Sequence, residues 1–326
     1  MMKSRINAVD RIPTILTEAL WFAIFSGGMI RLAHFSDVHL TSPTLGWQVR
    51  DLFGKRATGW VNVAVLGRGR RFRFANDVVE ALKREFRERN FDQIVFSGDA
   101  TTMAFDREMH EAAERLGVGD ASLPPTLAVP GNHDLYTYGA VRRSIFETAF
   151  SAWQKGERID AKHTYPFAKK VGHVWLIAVN SARANLLPWD ATGKVGGAQL
   201  RRFKRLLANL DDGPRIVVSH YPLLTRHRKP EPRWHRLRDW KNVRDAAAEC
   251  GVNLWLHGHK HAWYILEPGS NQPFHSINVG SSAQVKLWGY HEYTIEDWML
   301  RGLRRIYDRD TGGFIDRETF ELNLRR

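Results

Sequence analysis

Five short stretches of this sequence carry side chains that bind divalent metal ions. Carboxylates, imidazoles and carboxamides are ligands that first-row divalent ions accept, and each stretch here directly follows an apolar run. In chain order the stretches are Asp37-Val38-His39, Gly98-Asp99, Gly131-Asn132-His133-Asp134, His220 and Gly258-His259-Lys260-His261. This series predicts one pocket that binds two metal ions, and the reaction predicted there is a hydrolysis.

Two of the stretches repeat the same spacing of potential ligands. Asp37 and His39 are two residues apart, and in an extended segment this spacing points both side chains the same way. His259 and His261 have the same spacing, and Gly258 before them permits a close approach of the backbone. We therefore expect each pair to bind through neighbouring side chains.

The two remaining oxygen ligands differ in charge. Asp99 follows Gly98 where an apolar run ends, and a carboxylate there can use both oxygens to bridge two ions. Asn132 adds a neutral carbonyl oxygen, which leaves the ions more strongly Lewis acidic than another carboxylate would.

The order D-x-H, GD, GNHD, H and GHxH resembles the calcineurin-like metallophosphoesterase superfamily over residues 30–262. The resemblance implies a metal-dependent phosphoesterase that hydrolyses a phosphodiester or pyrophosphate by attack of a metal-bridging hydroxide. It implies two divalent or mixed-valence ions of Mn, Fe or Zn. The implied ligands are Asp37, His39, Asp99 and His261 for the first ion, and Asp99, Asn132, His220 and His259 for the second. His133 would face the substrate, and Asp134 would orient His133.

The resemblance leaves several functions open. The motifs are similar to those of bacterial cyclic nucleotide phosphodiesterases. They are also similar to those of lipid A hydrolases, which cleave UDP-2,3-diacylglucosamine at the membrane surface, in the variants of these hydrolases that have a histidine where this chain has His133. A non-catalytic scaffold is a second alternative, because relatives such as the retromer scaffold subunit have lost metal ligands. Every ligand position is filled here. Arg226 and Arg228 are candidates for contact with a substrate phosphate, since they follow His220 closely.

The elements that position these motifs alternate between strand and helix patterns, which predicts an α/β fold. We expect a two-sheet α/β sandwich flanked by helices, with the metal site at the carboxyl ends of strands. Strands are predicted at residues 31–36, 93–97, 126–129, 174–180, 216–219 and 253–256, and helices at 77–87, 106–116, 142–150, 199–210 and 243–250. After His261 shorter strands at 276–279, 292–295 and 303–307 predict that a second sheet completes the fold.

Two segments fall outside this alternation. Residues 41–74 combine apolar side chains with a basic run at 68–73, which predicts an inserted lid, hereafter the insert. Residues 1–28 contain an interrupted apolar run and are expected to form an extension peripheral to a metallophosphoesterase domain at 29–326. Membrane contact by this extension is a further expectation, and a start of translation at Met29 is the alternative to an extension.

Composition narrows the range of partners. The chain has 48 Lys and Arg against 35 Asp and Glu, a net charge of +13 that favours anionic partners. A phosphate-containing small molecule or lipid is the expected substrate; nucleic acid is less favoured, because no recognisable nucleic-acid module is present. Cys250 is the only cysteine, which excludes an intramolecular disulfide and a Cys-rich zinc site. A cytoplasmic location is expected, with peripheral contact at the inner face of the membrane.

Overall fold

Two six-stranded mixed sheets, flanked by helices, form the core of the protein. A computed structural model describes residues 28–65 and 67–325, so the predicted extension at 1–28 lies almost entirely outside the described residues. No helix within the described ranges is long and apolar enough to cross a membrane.

The first sheet joins the beginning of the described chain to its end. Its strands lie in the order β12-β11-β10-β1-β2-β3, with β1, β2 and β3 parallel and β10 antiparallel to β1. The bounds are β1 Ile30–Phe35, β2 Gln93–Phe96, β3 Thr126–Ala128, β10 Gly289–Glu296, β11 Met299–Asp308 and β12 Gly313–Asn323.

The second sheet is built from the middle of the chain. Its order is β4-β5-β6-β7-β9-β8, in which β5, β6, β7 and β9 run parallel and the two edge strands are antiparallel to their neighbours. The bounds are β4 Phe167–Val171, β5 Val174–Ala178, β6 Arg215–Val218, β7 Leu254–His257, β8 Tyr264–Leu266 and β9 His275–Asn278.

Alternation along the strands separates two apolar layers. Leu32 on β1 and Leu176 on β5 belong to one buried cluster between the sheets, whereas Phe35 and Ile177 belong to the cluster that packs against helices. Because successive side chains of a strand point to opposite faces, strands buried on both faces read as continuous apolar runs. This is why six strands could be predicted from the sequence, namely β1, β2, β3, β5, β6 and β7.

Four of the five predicted helices are confirmed, the fifth differs from the structure, and a helix in the insert was not predicted. Their bounds are Lys55–Ala64, Ala75–Glu88, Asp106–Leu116, Tyr138–Arg142, Ile145–Ala149, Gly197–Leu207 and Trp240–Glu249. The single helix predicted at 142–150 is wrong, because Ser144 adopts a left-handed backbone with φ of 49° and separates two short helices.

The role assigned to the C-terminal strands is also wrong. Residues 292–295 and 303–307 do form strands, but they extend the first sheet through the pairing of β10 with β1. The second sheet is instead formed by β4 to β9. Pairing between strands 260 residues apart leaves no trace in local periodicity, so the sequence pattern could not assign these strands to a sheet.

The insert forms a short helical segment bound to the domain by a buried arginine. It contains 3₁₀ helices at Val49–Phe53 and Arg68–Phe72 on either side of the helix Lys55–Ala64. The guanidinium of Arg56 donates to the carbonyl oxygens of Met103 and Ala104 and to the Asp51 carboxylate. Since these acceptors are buried, Arg56 joins the insert to the loop that follows β2.

Candidate metal centre

The five motif stretches meet where the rims of the two sheets come together. The loops after β1, β2 and β3 of the first sheet and those after β6 and β7 of the second supply the side chains. This is the edge of parallel strands at which open α/β sheets usually form binding sites. The site therefore depends on the packing of one sheet against the other.

One set of donor atoms surrounds Asp37. The Nε2 atom of His261 lies 3.3 Å from Oδ1 of Asp37 and 3.2 Å from Nε2 of His39. The same nitrogen of His39 lies 3.6 Å from Oδ2 of Asp99. These four side chains are those expected to hold the first ion.

A second set lies on the other side of Asp99. The Nε2 atom of His220 is 3.4 Å from Oδ2 of Asp99 and 3.2 Å from Oδ1 of Asn132. The Nδ1 atom of His259 is 3.0 Å from the same Asn132 oxygen. Asp99 Oδ2 thus faces histidines of both sets, so this one oxygen, rather than the two expected from the sequence, would be shared between two ions. Oδ1 instead accepts from the backbone N–H of His133.

The charges of the cluster fit the binding of cations. Burial favours the protonated form of Asp37, yet the adjacent His261 lowers its pKa to about 2. Its Oδ1 atom is buried and has no hydrogen-bond partner within residues 28–65 and 67–325. Burial would lower the pKa of His220, but Asp99 raises it to about 9. A buried carboxylate that remains ionised and has one oxygen without a donor is suited to a divalent ion.

Each imidazole of the two sets has an oxygen acceptor at its outer nitrogen. The Nδ1 atoms of His39 and His220 face the carbonyl oxygens of Thr101 and Ser97, and Nδ1 of His261 faces Oε1 of Gln284. His259 is turned the other way: its Nε2 atom lies 3.2 Å from Oε2 of Glu231. Such partners fix the tautomer and the orientation of metal-binding histidines.

The backbone of these loops departs from the extended form assumed for Asp37 and His39. Both have positive φ, of 54° and 46°, so their proximity does not come from strand alternation. His259 and His261, with φ of 73° and 58°, are the central residues of successive turns closed by bonds from Lys260 N–H to Gly258 O and from Ala262 N–H to Lys260 O. Such γ-turns with positive φ are rare and strained.

Two glycines allow the loops to approach this closely. A Cβ at Gly131 would lie 2.1 Å from Oδ1 of Asp99, and one at Gly258 would lie 2.2 Å from Oδ2 of Asp37. Both distances are far below van der Waals contact, so any side chain at either position would displace a carboxylate of the cluster.

His133 and Asp134 lie beside the two sets. A ring nitrogen of His133 is within 4.8 Å of donor atoms of His39 and Asp99, and its Nδ1 atom lies 2.6 Å from the carbonyl oxygen of Thr102. The geometry therefore favours the Thr102 carbonyl, rather than Asp134, as the group that orients this ring.

The carboxylate of Asp134 accepts bonds from the loop backbone instead. Its oxygens accept from the N–H groups of Asp99, Thr101 and Gly131 at 2.8 to 2.9 Å. Burial and the nearby Asp99 carboxylate raise the pKa of Asp134 to about 7, although the backbone N–H groups act in the opposite direction. Asp134 thus links the loops that carry Asp99 and Asn132.

A cavity of about 400 Å³ opens over the cluster and contains charged residues that sequence reasoning missed. Arg71, Lys260 and Glu231 line it together with Asp99, Asn132 and His133. Glu231 is the only acidic residue in the basic stretch 226–238, a signal that could have drawn attention to it. Arg226 and Arg228 are not among the residues that line this cavity; Arg228 donates to the carbonyl oxygen of Glu267.

Comparison with known proteins agrees with the geometry. The sequence profile of the calcineurin-like phosphoesterases matches residues 30–263. A dimetal phosphatase from Danio rerio has a TM-score of 0.62 at 13% identity, covering 91% of this chain and 99% of that one. A purple acid phosphatase from yellow lupin (Lupinus luteus) has a TM-score of 0.56 at 13% identity over 92% of this chain. This chain covers 55% of the lupin enzyme, and at such identities the likeness concerns the fold. No curated protein sequence matches the chain.

Replacing Asp134 tests whether its carboxylate supports the loops. We expect Asp134→Ala to lower the free energy of unfolding by about 3 kcal/mol, because three buried N–H groups lose their acceptor. Urea denaturation in excess EDTA would measure this without a contribution from bound metal. Asp120→Asn is a control, since Asp120 bonds to a backbone N–H on the surface and should leave stability near that of the wild type. Equal stability of Asp134→Ala and the wild type would contradict the role.

Proposed function

This chain belongs to the calcineurin-like phosphoesterase family of metal-dependent phosphate-ester hydrolases, and we propose that it hydrolyses a phosphodiester or a pyrophosphate. The observation that carries the proposal is the position of Asp99 Oδ2 between His39 at 3.6 Å and His220 at 3.4 Å. The two donor sets share this oxygen and include all seven ligands expected from the sequence.

The hydrolysis is assigned to the two ions that the donor sets would bind and to His133. When bound, two divalent ions supply positive charge that holds phosphate oxygens and lowers the pKa of water so that it can act as the nucleophile. The bond from the water oxygen to phosphorus forms as the bond from phosphorus to the leaving oxygen breaks. His133 donates its Nδ1–H to the Thr102 carbonyl, so it is assigned, in its doubly protonated form, to give the Nε2 proton to that leaving oxygen.

Two basic side chains that line the cavity, in addition to the metal-binding residues, favour a substrate with more than one negatively charged group. Arg71 comes from the insert, and its backbone carbonyl accepts from the N–H of Val285 at 2.7 Å. The neighbouring Phe72 ring lies 4.6 Å from the ring of His39, which holds this part of the insert against the cluster. Arg71 and Lys260 line the same cavity, so they can bind a second phosphate beside the one attacked.

A lipid-bearing pyrophosphate such as UDP-2,3-diacylglucosamine is the second candidate, favoured by the surface beside the centre. The insert exposes Phe53, which is 89% accessible, and a neighbouring loop exposes Leu186 and Trp189. Phe53 and Leu186 line a cavity of about 520 Å³ whose wall includes Tyr136. The Tyr136 ring stacks on that of His133 at 5.6 Å, so this apolar opening adjoins the proposed leaving-group side.

A substrate panel with Mn²⁺ tests the proposal. The compounds are a cyclic nucleotide, bis-p-nitrophenyl phosphate, a nucleotide monoester and UDP-2,3-diacylglucosamine. We expect turnover of a diester or the pyrophosphate in preference to the monoester, and at least a 10³-fold loss in Asp99→Ala and in His259→Ala. Arg71→Ala should raise KM for the pyrophosphate, whereas Arg226→Ala should not.

The control for loss of an imidazole is His163→Ala, since His163 is exposed and bonds to Asp160 away from the site. Wild-type turnover by a metal-free preparation of Asp99→Ala or His259→Ala would contradict the mechanism. A preference for the monoester would contradict the substrate class.

The double variant Phe53→Ser/Trp189→Ser tests the second candidate. It should raise KM about tenfold or more for UDP-2,3-diacylglucosamine in vesicles, because two apolar contacts with the lipid are lost, and leave KM for bis-p-nitrophenyl phosphate unchanged. Ile315→Ser serves as control, since Ile315 is an exposed apolar residue on β12. Unchanged kinetics with the lipid substrate would remove this candidate.

A further inference from the structure

Glu231 is a buried carboxylate in the loop between β6 and the helix Trp240–Glu249. Pro230 and Pro232 flank it, and its residue surface is only 4% accessible. Its two oxygens face different partners: Oε2 lies 3.2 Å from Nε2 of His259, and Oε1 accepts from Nζ of Lys260 at 2.6 Å. Both partners belong to the motif at the end of β7.

We propose that Glu231 is a positioning residue that orients His259 for the second ion and Lys260 for the substrate. The proposal rests on the proposed function, because it assigns Glu231 to the metal and phosphate sites of that reaction. Glu231 need not touch either the ions or the reacting phosphorus.

The orientation of His259 requires a partner of this kind. The other three histidines of the donor sets turn Nε2 toward the cluster, whereas His259 presents Nδ1, 3.0 Å from Oδ1 of Asn132. A carboxylate at Nε2 selects the tautomer with its proton on that nitrogen, which leaves the lone pair of Nδ1 for a metal ion. Glu231 therefore accepts from the outer nitrogen of His259. The Thr101 carbonyl has the same role for His39, and the Ser97 carbonyl has it for His220.

Two other contacts fix the position of His259 but do not determine which ring nitrogen carries the proton. The Tyr221 ring packs against the His259 ring at 4.3 Å, and the backbone N–H of His259 donates to Oδ2 of Asp37. Neither contact involves a ring nitrogen. Among the residues that the structure describes, the buried Oε2 atom of Glu231 has no hydrogen-bond partner apart from this ion-pair contact, so it is directed to His259.

The second oxygen of Glu231 serves a different purpose. It holds the ammonium of Lys260, a residue placed between the two histidines of the motif and lining the cavity over the cluster. A lysine held there by one bond keeps further N–H donors for a phosphate oxygen. The two oxygens of one carboxylate would thus connect metal binding to substrate binding.

Variants of the full chain separate these two effects. Glu231→Ala should weaken the binding of one of the two Mn²⁺ ions about 10- to 100-fold, because the tautomer of His259 is no longer selected. Glu231→Gln should weaken it less, because the amide oxygen of Gln can still accept from Nε2 of His259. Lys260→Met should bind two Mn²⁺ ions with wild-type affinity but raise KM for the preferred substrate with little change in kcat. Calorimetric titration with Mn²⁺ alone measures the first effect, and steady-state kinetics the second.

Controls distinguish positioning from folding. Thermal unfolding in EDTA should give similar midpoints for the wild type and Glu231→Gln, and Glu249→Gln, which removes an exposed ion pair with Lys204, should behave as the wild type in both assays. Wild-type Mn²⁺ affinities in both Glu231 variants would overturn the inference while leaving the proposed function intact. A wild-type protein that binds fewer than two ions would overturn both.

Discussion

The Asp99 carboxylate is the group on which the rest of the site depends. Its Oδ1 atom accepts from the backbone N–H of His133 at 2.8 Å, and its Oδ2 atom faces one histidine from each sheet. Burial opposes its charge, but the surrounding histidines keep the pKa of Asp99 well below its usual value. A buried anion without sufficient donors is costly, and two divalent ions would relieve that cost.

The loops that carry the ligands are held in conformations that the backbone otherwise disfavours. Five of the seven proposed ligands, namely Asp37, His39, Asp99, His259 and His261, have positive φ. Each such residue costs of order 1 kcal/mol or more, and the conformation persists only where surrounding contacts enforce it. Asp134 supplies three of those contacts, and Gly131 and Gly258 provide the space. These contacts hold the donor atoms in the two sets around Asp99.

The sequence was informative wherever local pattern or motif order carries the signal. The helix Asp106–Leu116 has the predicted bounds, and the seven expected ligands come together in two sets around Asp99. The extended conformation predicted for Asp37 and His39 is nevertheless wrong, because both residues have a left-handed backbone. Contacts between distant segments were not predictable: β10 pairs with β1, and Glu231 reaches His259 from a loop whose composition suggested only a basic surface.

The centre explains the proposed chemistry, while the residues around it would select the substrate. Arg71 and Phe53 come from the insert, whereas Leu186 and Trp189 come from the loop after β5, so most residues assigned to substrate choice lie outside the metal-binding motifs. Anomalous diffraction from Mn²⁺-soaked crystals would locate the ions at this centre. We expect two Mn²⁺ peaks, one bound by Asp37, His39, Asp99 and His261 and the other by Asp99, Asn132, His220 and His259. A single peak, or two peaks that do not share Asp99, would contradict this expectation.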